Sequence, residues 1–173
     1  MNRRLGILVA VALALAGCSR EAPSPAAEAP SATEGTSSSA VQNAQGESGN
    51  IPDPCTLFSD AEVTSLTGRD ITQIDKDGAD ASSPARHCQW QQSTGQLAVF
   101  ISRSTPDDFN LARAESPSIA GLGEDAYWRD GHLFVLTGRT QLDIYARGGD
   151  DQQNQAEAEK VAGALLPKVS AFS

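Results

Sequence analysis

The chain has 173 residues, and 13 Lys and Arg against 22 Asp and Glu give it a formal net charge of −9. Residues 51–173 carry ten of the basic and 18 of the acidic side chains, so most of the charge lies in one segment of single-domain size. Such an acidic domain repels phosphate backbones, which argues against nucleic acid as a partner. The composition also excludes a membrane channel, a collagen-like rod and a multidomain enzyme.

Residues 1–17 have the pattern of a secretory signal peptide. Arg3 and Arg4 precede an apolar run over 5–16, whose 12 residues span about 18 Å as a helix, well short of a hydrocarbon core of about 30 Å. The run ends in Leu15-Ala16-Gly17-Cys18, which resembles the lipobox of bacterial lipoproteins, where the Cys is lipidated with palmitate-type chains. The alternative is an ordinary signal peptide followed by an incidental Cys. We therefore predict a lipid anchor on Cys18 that holds the protein to a membrane.

The anchor predicts an extracytoplasmic location. No Asp follows Cys18, so a Gram-negative host would place the protein on the outer membrane, facing the periplasm. Any other host would leave it on the outer face of the cell membrane, and the sequence does not choose between the two. Residues 18–50 are rich in Ala, Ser, Pro and Glu, with Val41 as the one large aliphatic residue, which predicts a disordered tether. Its mean reach would be about 30 Å.

Two cysteines remain once Cys18 is lipidated. Cys55 and Cys88 would then lie in an oxidising compartment, which favours a disulfide between them. A redox or metal role is the alternative, but the chain has no C-x-x-C spacing and only two histidines. We predict neither a metal nor a cofactor.

Helix signals recur three times in residues 51–173. The first helix opens on the capping box Ser59–Glu62 and ends at Gly68, with Phe58 and Val63 at the staple positions. The second opens on Thr105-Pro106 and stops before Ser116-Pro117. The third starts at about Gln152, and Pro167 should end or kink it. Its apolar face is formed by Ala158, Val161, Leu165 and Val169.

Between the helices the hydrophobic period changes to two, as in residues 97–101 and 142–146. Turn signals separate these segments at Thr94-Gly95, Asp130-Gly131 and Gly138-Arg139. The order is helix, two or three strands, helix, three strands, helix. This predicts an α+β fold, an antiparallel sheet with about three helices packed on it.

An internal similarity suggests two α-β-β-β halves followed by a C-terminal helix. Trp90, Gly95, Leu97 and Val99 match Trp128, Gly131, Leu133 and Val135 in order. Unequal gaps between the matched residues leave this repeat open.

Three short motifs in this order resemble a family of bacterial cell-envelope lipoproteins known as domain of unknown function 3558, common in mycobacteria and their relatives. The motifs are Asp53-Pro54-Cys55-Thr56-Leu57-Phe58 before a helix with Glu62 and Gly68, Cys88-Gln89-Trp90, and Gly121-Leu122-Gly123-Glu124-Asp125-Ala126. The resemblance covers about 51–170. It implies an exported, lipid-anchored module with a Cys pair, and it supplies no established reaction.

Other motifs in the sequence are poor matches to nucleotide-binding, calcium-binding or catalytic sites. Gly121-x-Gly123-x-x-Ala126 formally fits a dinucleotide fingerprint, but strands follow it instead of a helix, which favours a turn. The carboxylates of 75–80 have neither the Gly nor the Glu position of a calcium loop and are more simply an acidic loop. His87 beside the expected disulfide and His132 after a turn lack a nucleophile context, so we predict no catalytic residue.

Tyr127, Trp128 and Tyr145 form the candidate binding surface, because aromatic residues near turns often contact ligands. Core packing is the simpler explanation of the three. We predict a non-catalytic binding or accessory module of the envelope that contacts an envelope protein or a small apolar ligand. The alternatives are an envelope hydrolase that uses acidic residues, and a structural role that needs only the anchor.

Overall fold

The computed structural model of the chain describes residues 50–77, 80 and 82–172. The predicted signal peptide, the lipidation site Cys18 and nearly all of the tether lie outside the described residues, so these remain predictions. In chain order the elements are α1 (Pro54–Leu57), α2 (Asp60–Thr67), β1 (Ile71–Lys76), β2 (Ala85–Gln92), β3 (Gln96–Arg103), α3 (Pro106–Arg113), β4 (Asp125–Arg129), β5 (His132–Thr137), β6 (Thr140–Arg147), α4 (Asp151–Val169) and a 3-10 turn (Ser170–Phe172).

The strands form one sheet in the order β1-β2-β3-β6-β5-β4, and every neighbouring pair is antiparallel. The three predicted turns join β2 to β3, β4 to β5 and β5 to β6. In the two-residue turn between β4 and β5, Asp130 and Gly131 have φ angles of 53° and 84°, the pair of positive values that a type I′ hairpin needs. The predicted α+β fold with an antiparallel sheet is confirmed.

Two α-β-β-β units are present, α2-β1-β2-β3 and α3-β4-β5-β6, and they meet where β3 pairs with β6. The sequence similarity that suggested these units does not align them correctly, however, because the matched residues lie on different strands of the two units. Trp90 lies on the second strand of the first unit, whereas Trp128 lies on the first strand of the second. Each Trp faces a Leu across its own hairpin, so the similarity reflects a common hairpin and not the two-unit repeat.

The helix signals are confirmed, with differences at the ends. Ser59 accepts the N–H of Glu62 in a capping box, and Gly68 ends α2 at φ 70°. The last helix, α4, does not end at Pro167 but continues to Val169. Because Pro167 has no backbone N–H, the helix loses only the hydrogen bond to the Gly163 carbonyl. Gly163 is exposed, so water can bind that carbonyl instead. The short α1, capped by Asp53, was not predicted, although Asp53-Pro54 is a typical helix start.

The core lies between one face of the sheet and α4. Side chains from β2, β3, β5 and β6 pack there with Val161 and Leu165 of α4, and Val63 of α2 joins them. The predicted Cys55–Cys88 disulfide is confirmed, and it ties α1 to β2 at the margin of this core. Because 33 positions separate the two cysteines, the bond closes a long loop.

Candidate functional site

The two faces of the sheet differ in what covers them. Cross-strand partners share a face, and the rows that contain Trp90, Val99 and Ile144 belong to the core under α4. Among the described helices only α3 packs on the opposite face, where Phe109 contacts Tyr127 at the β4–β5 end. The rest of that face carries no helix of the described residues.

We call this surface the open face. It comprises the side chains of β1, β2, β3 and β6 that point away from α4, together with His132 of β5. Its central members are Gln73, His87, Gln89, Gln91, Gln96, Ala98, Phe100, His132, Gln141, Asp143 and Tyr145, and its margins include Asp75, Ser102 and Arg147.

A histidine–aspartate pair lies within the open face. The Nδ1 atom of His132 is 2.6 Å from Oδ1 of Asp143, and the two side chains are 32% and 22% exposed. Burial raises the pKa of the Asp143 carboxyl, and the hydrogen bond to His132 offsets that rise in part. Because Asp143 engages Nδ1, the other ring nitrogen of His132 remains available for a ligand.

Aromatic rings flank this pair. The His132 ring lies 4.8 Å from the Tyr145 ring and 5.9 Å from the Phe134 ring, measured between centroids. On β2 and β3, His87 stacks on Phe100 at 5.4 Å. Two aromatic pairs therefore sit on one sheet surface, and each joins a histidine to a tyrosine or phenylalanine.

The helix α3 covers the other end of this side of the sheet. Phe109 is fully buried against Tyr127 and Leu136, and Arg129 lies over the Tyr127 ring at 5.4 Å. Burial raises the pKa of the Tyr127 hydroxyl. Leu111, two residues further along α3, is 81% exposed. The helix thus buries one large apolar side chain on the sheet, and two polar contacts with β4 add to it, from Arg113 to Asp125 and from Arg129 to the Ala112 carbonyl.

The structure does not bring the three aromatic residues of the predicted surface together. Tyr127 and Trp128 are consecutive in β4 and point to opposite faces, so Trp128 packs against the core. Tyr127 is on the same side of the sheet as Tyr145 but is only 1% exposed. Of the three, Tyr145 alone is a half-buried member of the open face.

The rejected motifs are structural where the structure describes them. Gly121 and Gly123 have φ angles of 88° and 58° in the turn before β4, and no helix follows that could hold a pyrophosphate. In the acidic 75–80 segment, Asp77 accepts bonds from the Arg86 side chain and from the His87 amide. The described residues contain no group of three His, Cys, Asp or Glu side chains arranged to hold a metal ion.

Sequence reasoning missed Asp143, and it assigned no functional role to His132. The signal was present in the turn between β5 and β6. A two-residue turn at Gly138-Arg139 pairs Thr137 with Thr140, and counting back by pairs sets Phe134 opposite Asp143 and His132 opposite Tyr145. His132 and Asp143 are then diagonal neighbours on one face.

The three motifs that resemble a known family lie at the disulfide and α1, in β2, and at the turn before β4. The segment from Asp53 holds the disulfide and α1, the second motif starts in β2 at Cys88, and the third is the glycine turn before β4. The sequence matches the family described as Protein of unknown function (DUF3558) over residues 13–164. The chain belongs to this family. No curated protein and no solved structure matches the chain.

The family match establishes membership, and the family's description names no activity. No described helix is both long enough and apolar enough to cross a bilayer. What the domain does must therefore be argued from its own surfaces.

Proposed function

We propose that this DUF3558 domain is a non-catalytic binding module of the cell envelope, held on its membrane by a lipid on Cys18 and contacting its partner through the open face. One observation carries the proposal. A sheet face opposite the core holds half-buried aromatic rings and a His–Asp pair, and none of the described helices other than α3 packs on that side.

Energetics favour a functional role for this surface. Partial burial removes water from the Asp143 carboxyl and so destabilises its ionised form, which is why its pKa is raised. A sheet selected for stability alone would carry apolar or fully solvated side chains there. The open face instead combines groups that bind ligands, and binding sites commonly accept such a local cost.

The predicted leader and tether fit this role. An acylated Cys18 would hold the domain at the membrane, and a tether of about 30 Å would let the open face turn toward the envelope around it. A membrane-fixed module of this kind has no need of a catalytic centre, since its task is to retain or recruit what it binds.

In-cell photo-crosslinking tests the proposal. A photoreactive phenylalanine analogue replaces Tyr145 in the open face, and in a matched variant it replaces Gln152, which is exposed on α4. We expect a defined adduct from position 145 and none from position 152. Identical patterns from both positions, or no adduct from either, would refute a binding role for the open face.

A hydrolase of the envelope is the second candidate, and the His132–Asp143 pair favours it. An aspartate that orients a histidine through Nδ1 is how many hydrolases hold their general base. Turnover of a cell-wall glycan or ester by the purified full chain, abolished by His132→Gln but not by Gln152→Ala, would establish catalysis. Absence of turnover with both classes of substrate would leave the binding role.

A further inference from the structure

The open face is unusually rich in glutamine. Gln73, Gln89, Gln91, Gln96 and Gln141 all point to this side of the sheet. Gln89, Ala98, Tyr145 and His132 form one continuous row across β2, β3, β6 and β5. Amide groups and aromatic rings therefore lie near one another on these four neighbouring strands.

Four of these amides have no hydrogen-bonding partner among the residues that the structure describes. Gln73 bonds to Asp75, but the side chains of the others are half-buried without a hydrogen bond to any other residue that the structure describes. These four are Gln89, Gln91, Gln96 and Gln141. An amide both donates and accepts, so it matches a hydroxyl group, which does the same. An apolar ligand would leave the amides unpaired, at a cost of roughly tenfold in affinity for each.

Charge also selects the ligand. The middle of the open face has a histidine–carboxylate pair, His132 with Asp143, and a second histidine, His87, whereas residues 51–173 as a whole carry 18 acidic against ten basic side chains. Asp75 and Arg147 stand at the margins with opposite signs, and Arg129 lies opposite His132 on the same side of the sheet, so the two acidic side chains, Asp75 and Asp143, are balanced by two arginines. Such a surface offers neither an anion nor a cation a complementary field, and it suits an uncharged ligand.

The aromatic rings supply the remaining contact. Tyr145 and Phe100 are half-buried. The Tyr145 ring contacts the His132 ring at 4.8 Å and the Phe100 ring contacts the His87 ring at 5.4 Å, measured between centroids. The electron-rich face of such a ring attracts the polarised C–H groups on the flat side of a sugar ring. Hydroxyl groups at the edge of the same sugar would meet the glutamine amides.

We propose that the open face binds a neutral glycan strand, lying across β2, β3 and β6. This inference rests on the proposed binding function and names the class of its ligand. In the row Gln89–Ala98–Tyr145 a small residue that is only 1% exposed lies between an amide and a ring, so a sugar ring would contact the half-buried Gln89 and Tyr145 and not Ala98. The His132–Asp143 pair would hydrogen-bond a hydroxyl at the end of the row.

The test uses the full-length chain in detergent on immobilised neutral gluco-, galacto-, manno- and arabino-oligosaccharides, beside sulfated and carboxylated ones. We expect neutral oligosaccharides to be retained, with roughly tenfold weaker binding for Gln89→Ala and for Tyr145→Ala. Tyr145→Phe keeps the ring and should bind within about threefold of wild type. Gln152→Ala on α4 is the matched control and should bind unchanged, and equal melting temperatures would show that all variants fold.

Binding confined to the anionic oligosaccharides, or neutral binding that Gln89→Ala and Tyr145→Ala both leave intact, would overturn the inference. So would failure to retain any oligosaccharide. If the crosslink from position 145 persists in that last case, only the glycan assignment fails and the open face contacts a protein instead. If the crosslink is also absent, the proposed function fails with it.

Discussion

Removal of the Cys55–Cys88 bond gives the sharpest test of how the fold is held. The bond closes a loop between cysteines 33 positions apart, and the chain-entropy relation assigns such a loop about 4 kcal/mol at 25 °C. Cys88 is fully buried, so Ala there leaves a small space that costs roughly 1 kcal/mol more. At about 4 °C per kcal/mol for a domain of this size, Cys55→Ala/Cys88→Ala should melt about 15–20 °C below wild type.

Differential scanning calorimetry of the full chain measures this difference. Wild type treated with a phosphine reductant should reproduce the loss, and Thr56→Ala, an exposed neighbour in α1, should melt within a few degrees of wild type. A double variant that melts within about 3 °C of wild type would refute the reasoning. So would free thiols at both cysteines in wild type denatured without reductant.

Three further predictions concern local features. Hydrogen bonds from the Ser59 backbone, the Lys168 side chain and the Ser59 hydroxyl lower the pKa of Glu62 from 4.5 to about 2, so stability present above pH 4.5 is lost as the pH falls toward 2. Glu62→Gln should flatten this part of the pH–stability curve, and an unchanged curve would contradict the prediction. The Cβ of Gly95→Ala would overlap a carbonyl oxygen at the end of β6, whereas Gly68→Ala meets open space, although both glycines have positive φ. Urea unfolding should show a loss of about 1 kcal/mol for Gly68→Ala and at least twice that for Gly95→Ala; equal losses would refute the clash. Burial raises the pKa of Asp143, so ionisation of this carboxyl destabilises the folded state at neutral pH. Below the pKa that the carboxyl has in the unfolded chain it is protonated in both states, and this destabilisation disappears. Asp143→Asn should therefore melt no lower than wild type at pH 7 and equally at pH 3, and a markedly lower melting temperature at pH 7 would contradict this.

The fold could be predicted because its signals are local. Capping residues such as Ser59 and turn glycines such as Gly131 act within four residues of their own position, and tight turns force adjacent strands to be antiparallel. The pairing of β3 with β6 was beyond reach, since it joins residues about 45 positions apart and depends on the packing of both units on α4. The similarity between the segments that begin at Trp90 and Trp128 arises because each Trp faces a Leu across a hairpin, and such a hairpin pattern can be mistaken for a larger repeat.

The site was predicted less well, for two physical reasons. Consecutive strand residues face opposite sides, so Tyr127 and Trp128 could never share a surface, and the alternation rule alone was enough to exclude that pair. Asp143 and the open-face glutamines carry no individual motif, because their role depends on which strands become neighbours. Tyr145 was found since an aromatic residue draws attention by itself.

Hydroxyl-radical footprinting of the protein in intact envelopes, compared with the purified full chain, tests the central claim most directly. If the open face is the contact surface, oxidation of Tyr145 and Phe100 should fall several-fold in the envelope. Leu111 on α3, which is 81% exposed and outside the open face, should react equally in both preparations. Equal oxidation of Tyr145 and Phe100 in the two preparations would contradict the assignment of the open face as the functional surface.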